Sequence, residues 1–334
     1  MTDPQTLNSL TNRETIAKDL VLVDGCMRSG KHMLGTVIAS FERMEMWQNL
    51  VLVENLPIYH SLGAITRDAA VQMMQIEIDT HFYYTLIGRR VNFRYNDASG
   101  IWKSRDPRDY FRRIFSDDEG EVLDRLSQTR QIGLLFTHDV LTHPQIPFEA
   151  YPEIRFLEMR RNPVDVAHSW LRNNWPERVV SDPMSTAPAI GNKDSVPWFA
   201  SDWSEEYPHI NPAARVIRSL ETLSRRRDAA FAELEDAQSR RIFTAPFEAF
   251  VVDPSLWIER LTEFLGTQPS DQTADVLRRE RCPRRLPQSD YVDKRSDLEA
   301  QLNAFEIERL NQLEDNYRDW CRTRYGTDDS DIRT

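Results

Sequence analysis

The feature that most constrains this chain is a short run near its start. Leu20–Asp24 (LVLVD) passes directly into Gly25-Cys26-Met27-Arg28-Ser29-Gly30-Lys31-His32. A short apolar run with β-branched residues reads as a strand buried on both faces. The residues after Gly30, KHMLGTVIASFERM, carry a helical pattern. Strand, glycine loop and helix in that order turn backbone N–H groups and the positive end of a helix toward an anion. Gly25 and Gly30 allow tight turns and a close backbone approach. Arg28 and Lys31 add charge-assisted contacts to phosphate or sulfate oxygens. A glycine turn with no ligand would be spelled in much the same way, so the loop needs a second half.

Further apolar runs bounded by turn residues occur at Leu50–Glu54 (LVLVE), Ile132–His138 (IGLLFTH), Ile154–Met159 (IRFLEM) and Arg241–Phe247 (RIFTAPF). Helical patterns lie between them, over Pro212–Asp236 and Ser255–Leu265 among others. Strands alternating with helices predict a three-layer α/β/α sandwich around a mainly parallel sheet. No repeat or low-complexity linker divides the chain. We therefore expect a single domain over 1–334 with its core at about 20–290. Trp175–Asn211, rich in Pro, Ser, Asp and Trp, reads as a long loop or lid that its aromatics would order. The last residues, GTDDSDIRT, read as a frayed tail.

Composition narrows the function. A net charge of -11 argues against general nucleic-acid binding, which needs a basic face. Cys26, Cys282 and Cys321 are too few and too scattered for a disulfide framework or a zinc cluster. A reducing compartment is the simpler setting, and the chain is expected to be cytoplasmic. The start lacks the basic and apolar segments of a secretory signal. No run of about 18 apolar residues could span a bilayer, and no membrane partner is expected. Oligomeric state stays open.

A second anion-binding element lies further on. In IRFLEMRRNPVDVAHSW a strand ends at Arg160-Arg161 and a helix starts near Pro163. Arg161 and Ser169 can serve one end of a ligand, the guanidinium as a planar fork and the hydroxyl beside it. The loop itself also matches most of the nucleotide P-loop pattern, Gly25-x4-Gly30-Lys31. That pattern ends in a Ser or Thr that binds Mg²⁺, and His32 is a poor ligand for so hard an ion. A P-loop kinase or nucleotide hydrolase is thus the alternative reading.

The run Arg161-Asn162-Pro163-Val164-Asp165-Val166-Ala167-His168-Ser169-Trp170 resembles the 3′-phosphate motif of sulfotransferases that use PAPS (3′-phosphoadenosine 5′-phosphosulfate). The loop resembles that family's phosphosulfate loop: Arg28, Ser29 and Gly30 match, whereas Lys31 and His32 replace the usual Thr-Thr. The resemblance implies a P-loop-like sulfotransferase fold. It also implies sulfuryl transfer from PAPS to a hydroxyl or amine of a small molecule, with PAP (3′-phosphoadenosine 5′-phosphate) released and no metal required. Arg161 and Ser169 would hold the 3′-phosphate, and Asp165 would brace the motif. Thr137-His138 matches the end of the strand that carries the family's base, with Phe136 in the place of its Lys. His138 is the expected general base and His32 its rival. Arg28 or Lys31 would neutralise the leaving oxygen.

The later run IFTAPFEAFVVDPSLWIERLTEFLG matches a further segment of the family, with Phe247 and Glu248 in its Tyr-Glu positions and Ala249 in place of the Asp. Phe247 would lie near the adenine. Five arginines within Arg278–Arg285 suggest a basic loop against the 3′-phosphate, through Arg284 and Arg285. Arg225-Arg226-Arg227 reads as a solvated helix face. Residues 60–125 and 172–240 match only in layout and would build the acceptor pocket and lid. The aromatic, acidic stretch Trp198–Tyr207 hints at a flat or cationic acceptor. The departures at Lys31, His32, Phe136 and Ala249 leave a third reading, a non-catalytic PAP or PAPS binder.

Overall fold

A computed structural model describes residues 10–11, 13–115, 119–191 and 195–334. Its centre is an all-parallel sheet of five strands: β1 (Leu20–Asp24), β2 (Gln48–Asn49), β3 (Gly133–Phe136), β4 (Arg155–Arg160) and β7 (Ile242–Pro246). Their spatial order is β2-β3-β1-β4-β7. β1 lies between β3 and β4, with Leu20 beside Gly133 and Val21 beside Arg155. Two short antiparallel strands, β5 (Ala189–Ile190) and β6 (Val196–Pro197), form a separate ribbon. Helices cover both faces of the main sheet, as parallel strands require. On one face Val21, Val23, Leu134 and Phe136 pack with the Lys31–Ile38 and Pro254–Leu265 helices. On the other, Leu20, Leu22, Leu135 and Phe156 pack with the Arg67–Leu86 helix. The α/β/α expectation holds.

Four of the five expected strands form close to where the apolar runs lie. The fifth does not. LVLVE is helical: β2 ends at Asn49, and Val51–Ser61 is a helix that buries Val53, Glu54 and Leu56. An apolar run of five cannot tell a buried strand from a buried helix. The helix after the loop is also shorter than expected, Lys31–Ile38, because the chain turns at Ala39–Ser40.

The tail is not frayed. Asp328 and Asp329 are buried, and Asp329–Ile332 is a short helix. Arg333 bridges Asp165 at 2.7 Å and Asp329 at 2.9 Å. A count of polar residues hides this, because each is polar toward a buried partner. Nor is Arg225–Arg227 a solvated face throughout. Arg227 is nearly buried and pairs with Glu158 at 3.3 Å, while Arg226 pairs with Asp202 at 2.9 Å and lies over Trp198.

The described residues of Trp175–Asn211 are held by its aromatics, and held as core. Trp198, Phe199, Trp203 and Tyr207 are buried. The Arg218 guanidinium covers Trp203 and that of Arg215 covers Tyr207. Asp202 and Glu206 are paired with Arg225, Arg226 and Arg218. The hint of a cationic acceptor fails here, since the chain's own arginines occupy these rings and carboxylates.

Candidate functional site

The loop after β1 is built by two glycines. Gly25 has φ +131, and a Cβ there would lie 2.7 Å from the Met159 carbonyl oxygen. Gly30 has φ +98, and a Cβ there would strike the Phe247 ring at 2.2 Å. Only glycine combines those torsions with that proximity. Gly30 also caps the Lys31–Ile38 helix, so the helix begins where the loop closes.

β4 delivers the second half. It ends at Arg160, and Asn162 caps the Pro163–Arg172 helix by accepting from Val164 N at 2.8 Å. Arg161 and Ser169 then meet the loop. Arg28 Nε donates to Ser169 Oγ at 2.9 Å, and Arg161 Nη1 donates to the Arg28 carbonyl at 3.1 Å. Phe247, 6% exposed, is packed by the Gly30 backbone, with the Arg161 guanidinium 4.4 Å and that of Arg284 5.1 Å from its ring centroid. Thus Arg28, Ser29, Gly30, Arg161, Ser169, Phe247 and Arg284 form one cluster. Within it Ser29 Oγ, Arg161 Nε and Arg284 Nε are buried without a hydrogen-bond partner among the described residues. Buried donors left open in this way mark a place where a ligand can supply acceptors. Arg285 is exposed, and Arg278 is spent on Asp275. Of the five arginines in this run, only Arg284 joins the cluster.

Asp165 is a brace. Arg161 lies 3.6 Å from it, and Lys294 and Arg333 lie closer, at 2.5 and 2.7 Å. Burial works against its charge, but Arg161, Lys294 and Arg333 prevail and hold its pKa down at about 2. Asn162 Nδ2 donates to both Glu314 and Asp329 at 2.9 Å. The Ala304–Tyr325 and Asp329–Ile332 helices are thereby locked onto the motif.

Lys31 is almost fully buried, and its ammonium donates to the Gly25 carbonyl. It sits 5.3 Å from the centroid of Phe136, the residue in the place of the family's Lys. Burial lowers its pKa, against the pull of Asp139, Asp24 and Glu54. His32 packs its ring on Phe136 at 4.2 Å and meets Trp47 edge-on at 5.5 Å. Burial, then the charges of Lys31, His138 and Arg28, push its pKa down to about 4, so it is a neutral ring at pH 7.

His138 follows β3 and is fixed by a residue the sequence did not single out. Glu54 Oε2 lies 2.8 Å from His138 Nδ1 and also accepts the His138 backbone N–H at 3.1 Å. Burial works to raise the Glu54 pKa, but the His138 charge and hydrogen bond, with Lys31 and Asn49, bring it below its usual value. A carboxylate on Nδ1 keeps the proton there and leaves Nε2 as the acceptor. Asp24 holds the turn itself, accepting from Thr137 Oγ1 at 2.9 Å, Val140 N at 3.2 Å and Leu141 N at 2.9 Å. Glu54 was hidden in LVLVE because its role depends on a contact 84 residues away.

Beside the loop a cavity of about 90 Å³ is lined by Gly25, Ser29, Asp139, Glu158, Arg160 and Arg227, among others. Asp139 stands in the left-handed region at φ 54. Burial, together with Asp24 and Glu54, outweighs Lys31 and raises its pKa to about 8.

No family model and no curated protein matches the chain. Among solved structures it is similar to the sulfotransferase domain of the Synechococcus PCC 7002 olefin synthase. The two share 12% identity over 80% of this chain and 79% of that one, with a TM-score of 0.41. It is similar also to the sulfotransferase domain of the curacin biosynthetic pathway, at 12% identity, 76% of each chain and a TM-score of 0.43. A third is a sulfotransferase from Mycobacterium tuberculosis H37Rv, at 12% identity, 90% of this chain, 77% of that one and a TM-score of 0.42. These likenesses are distant.

Proposed function

We propose that this chain transfers a sulfuryl group from PAPS to a hydroxyl or amine of a small-molecule acceptor. The observation that supports the reading is the joining of loop and distant motif, Arg28 on Ser169 and Arg161 on Arg28, with three open buried atoms on Ser29, Arg161 and Arg284. That cluster offers cations, a hydroxyl and a flat ring wall, a set that suits a nucleotide bearing more than one anionic group.

The roles follow from position. Arg161, Ser169 and Arg284 would hold the 3′-phosphate. Ser29 and the N–H groups at Gly30, Lys31 and His32 would hold the 5′-phosphosulfate. Phe247 would wall the adenine side. His138 Nε2 would take the proton from the acceptor as its oxygen or nitrogen bonds to sulfur. As the bond from sulfur to the bridging oxygen breaks, Arg28 or Lys31 would meet the charge left on PAP; charge already in place is often the largest catalytic term. The scheme calls on no metal ion, and a cytoplasmic setting goes with it.

Melting temperature with PAP, PAPS, or ATP with Mg²⁺ tests the reading. A ligand at about 100 times its Kd adds about 2.7 kcal/mol to the folded state. For a chain of this size that is a rise of several degrees. We expect it with PAP and PAPS. A rise with Mg-ATP alone would replace the proposal with a kinase or hydrolase. Binding of PAPS with no transfer across a broad acceptor panel would replace it with a non-catalytic binder.

A further inference from the structure

The cavity beside the loop is walled by two helices that meet over the end of β4. The Pro212–Ala232 helix turns Leu220, Leu223, Ser224 and Arg227 to it, and the Ala304–Tyr325 helix turns Leu313, Asn316 and Tyr317. Both sets keep the i, i+3, i+4 spacing of one helix face. Met159 and Val166 extend the apolar part of the wall, and Asn316 stands exposed at its rim.

Almost every charge on this wall is committed. Glu158 pairs with Arg227 at 3.3 Å and accepts from Thr244 Oγ1 at 3.0 Å, and Arg227 also pairs with Asp228 at 2.5 Å. Asp24 takes its three donors from Thr137, Val140 and Leu141. Arg161 faces Asp165 at 3.6 Å, and Asp139 keeps its proton at pH 7. Arg160, the last residue of β4, is the exception. Its guanidinium lies 4.0 Å from the centroid of the Trp320 ring and has no hydrogen bond or ion pair among the described residues. Burial, then the charge of Arg227, bring its pKa down to about 10, which leaves it a cation. Ser224 Oγ and Asn316 Nδ2 are likewise without a hydrogen-bond partner among the described residues.

This wall selects its occupant. A half-buried cation without a counter-ion gains from an anion, and a guanidinium fork matches the two oxygens of a carboxylate. Leu220, Leu223, Leu313, Val166 and Met159 offer nothing to the further oxygens of a sulfate or phosphate, and they suit a hydrocarbon body. The cavity measures about 90 Å³. A dry cavity of about 150 Å³ takes a six-carbon ring, so this one takes a chain of about four carbons.

We infer that this cavity is a binding site for a short-chain carboxylate, its head group on Arg160 and its chain among Leu220, Leu223 and Leu313. The inference does not rest on sulfuryl transfer.

The test is the melting temperature of the full chain with acetate, propionate or butyrate at constant ionic strength, and with butanol or butylammonium in their place. The carboxylates should raise it saturably, the apparent Kd falling about fourfold for each added CH₂. Butanol and butylammonium should not raise it. Arg160→Gln should weaken butyrate about 10- to 100-fold. Arg284→Ala, outside this wall, should leave butyrate binding unchanged. If Arg160→Gln lowers the melting temperature by itself, the chain-length series on the unaltered chain decides. Three results would overturn the inference: acetate binding as well as butyrate, a butyrate response that survives Arg160→Gln, or one that Arg284→Ala removes, which would move the anion to the loop–Arg161 cluster.

Discussion

Arg161 and His138 follow β4 and β3, the two strands that flank β1, and each is held by a carboxylate. The supports differ. Asp165, which steadies Arg161, is gripped by Lys294 and Arg333 as well, and Arg333 reaches on to Asp329. His138 has Glu54 on one nitrogen, with the other free of that tie. The contrast fits the roles proposed for the two, Arg161 to hold an anion still and His138 to exchange a proton. A charge held for binding gains from rigidity on every side. A base needs one fixed nitrogen and one open one.

His138→Ala should break the comparison most sharply. Turnover should fall about 10²–10⁴-fold while PAP affinity, read by calorimetry, changes less than about twofold. Equal losses in both would place His138 with the anchors. Next comes Arg333→Ala, which takes one cation from both Asp165 and Asp329 and leaves them to Lys294 and Arg318. The expected loss is about 1.5–3 kcal/mol of stability, measured by denaturant unfolding. It should also move the acid limb. Asp165 has a folded pKa of about 2, below its unfolded value, so its contribution is present above about pH 4 and is lost as pH falls toward 2. Without Arg333 the folded pKa moves back toward the unfolded one, so this contribution is smaller and its loss is complete at a higher pH.

Arg161→Ala should weaken PAP binding about 10- to 100-fold, with a smaller change in turnover at saturating PAPS. A fall in turnover alone would reverse the roles drawn for the two strand ends. The smallest effect concerns Asp139, beside His138. Its pKa is raised to about 8, so the folded state keeps a proton that the unfolded chain releases, and stability drains as pH rises from about 4 to 8. Asp139→Asn keeps a residue tolerant of the left-handed backbone. It should add on the order of 1 kcal/mol at pH 8 and little at pH 4, read as melting temperature against pH.

The meeting of the loop with Arg161 and Ser169 was legible because each part is compact in the chain. Gly25 to Lys31, and Arg161 to Ser169, are each set within one turn or helix, where spacing predicts geometry. The supports were not legible. Glu54 reads as the end of an apolar run, and Asp328, Asp329 and Arg333 read as a polar tail. Nothing in their spacing announces a partner at the far end of the chain. The aromatics of Trp198–Tyr207 misled for the same reason, since ligand wall and packed core are spelled alike.

By itself the sequence determined the alternation of strands and helices, the glycines at the loop and the charged groups near the strand ends, because these depend on local torsions and short periods. Only the tertiary structure decided that Leu50–Glu54 is helix, which carboxylate holds which cation, and that Arg284 rather than Arg285 reaches the cluster. Those outcomes turn on burial and on contacts between distant segments, and neither can be computed from neighbours in the chain.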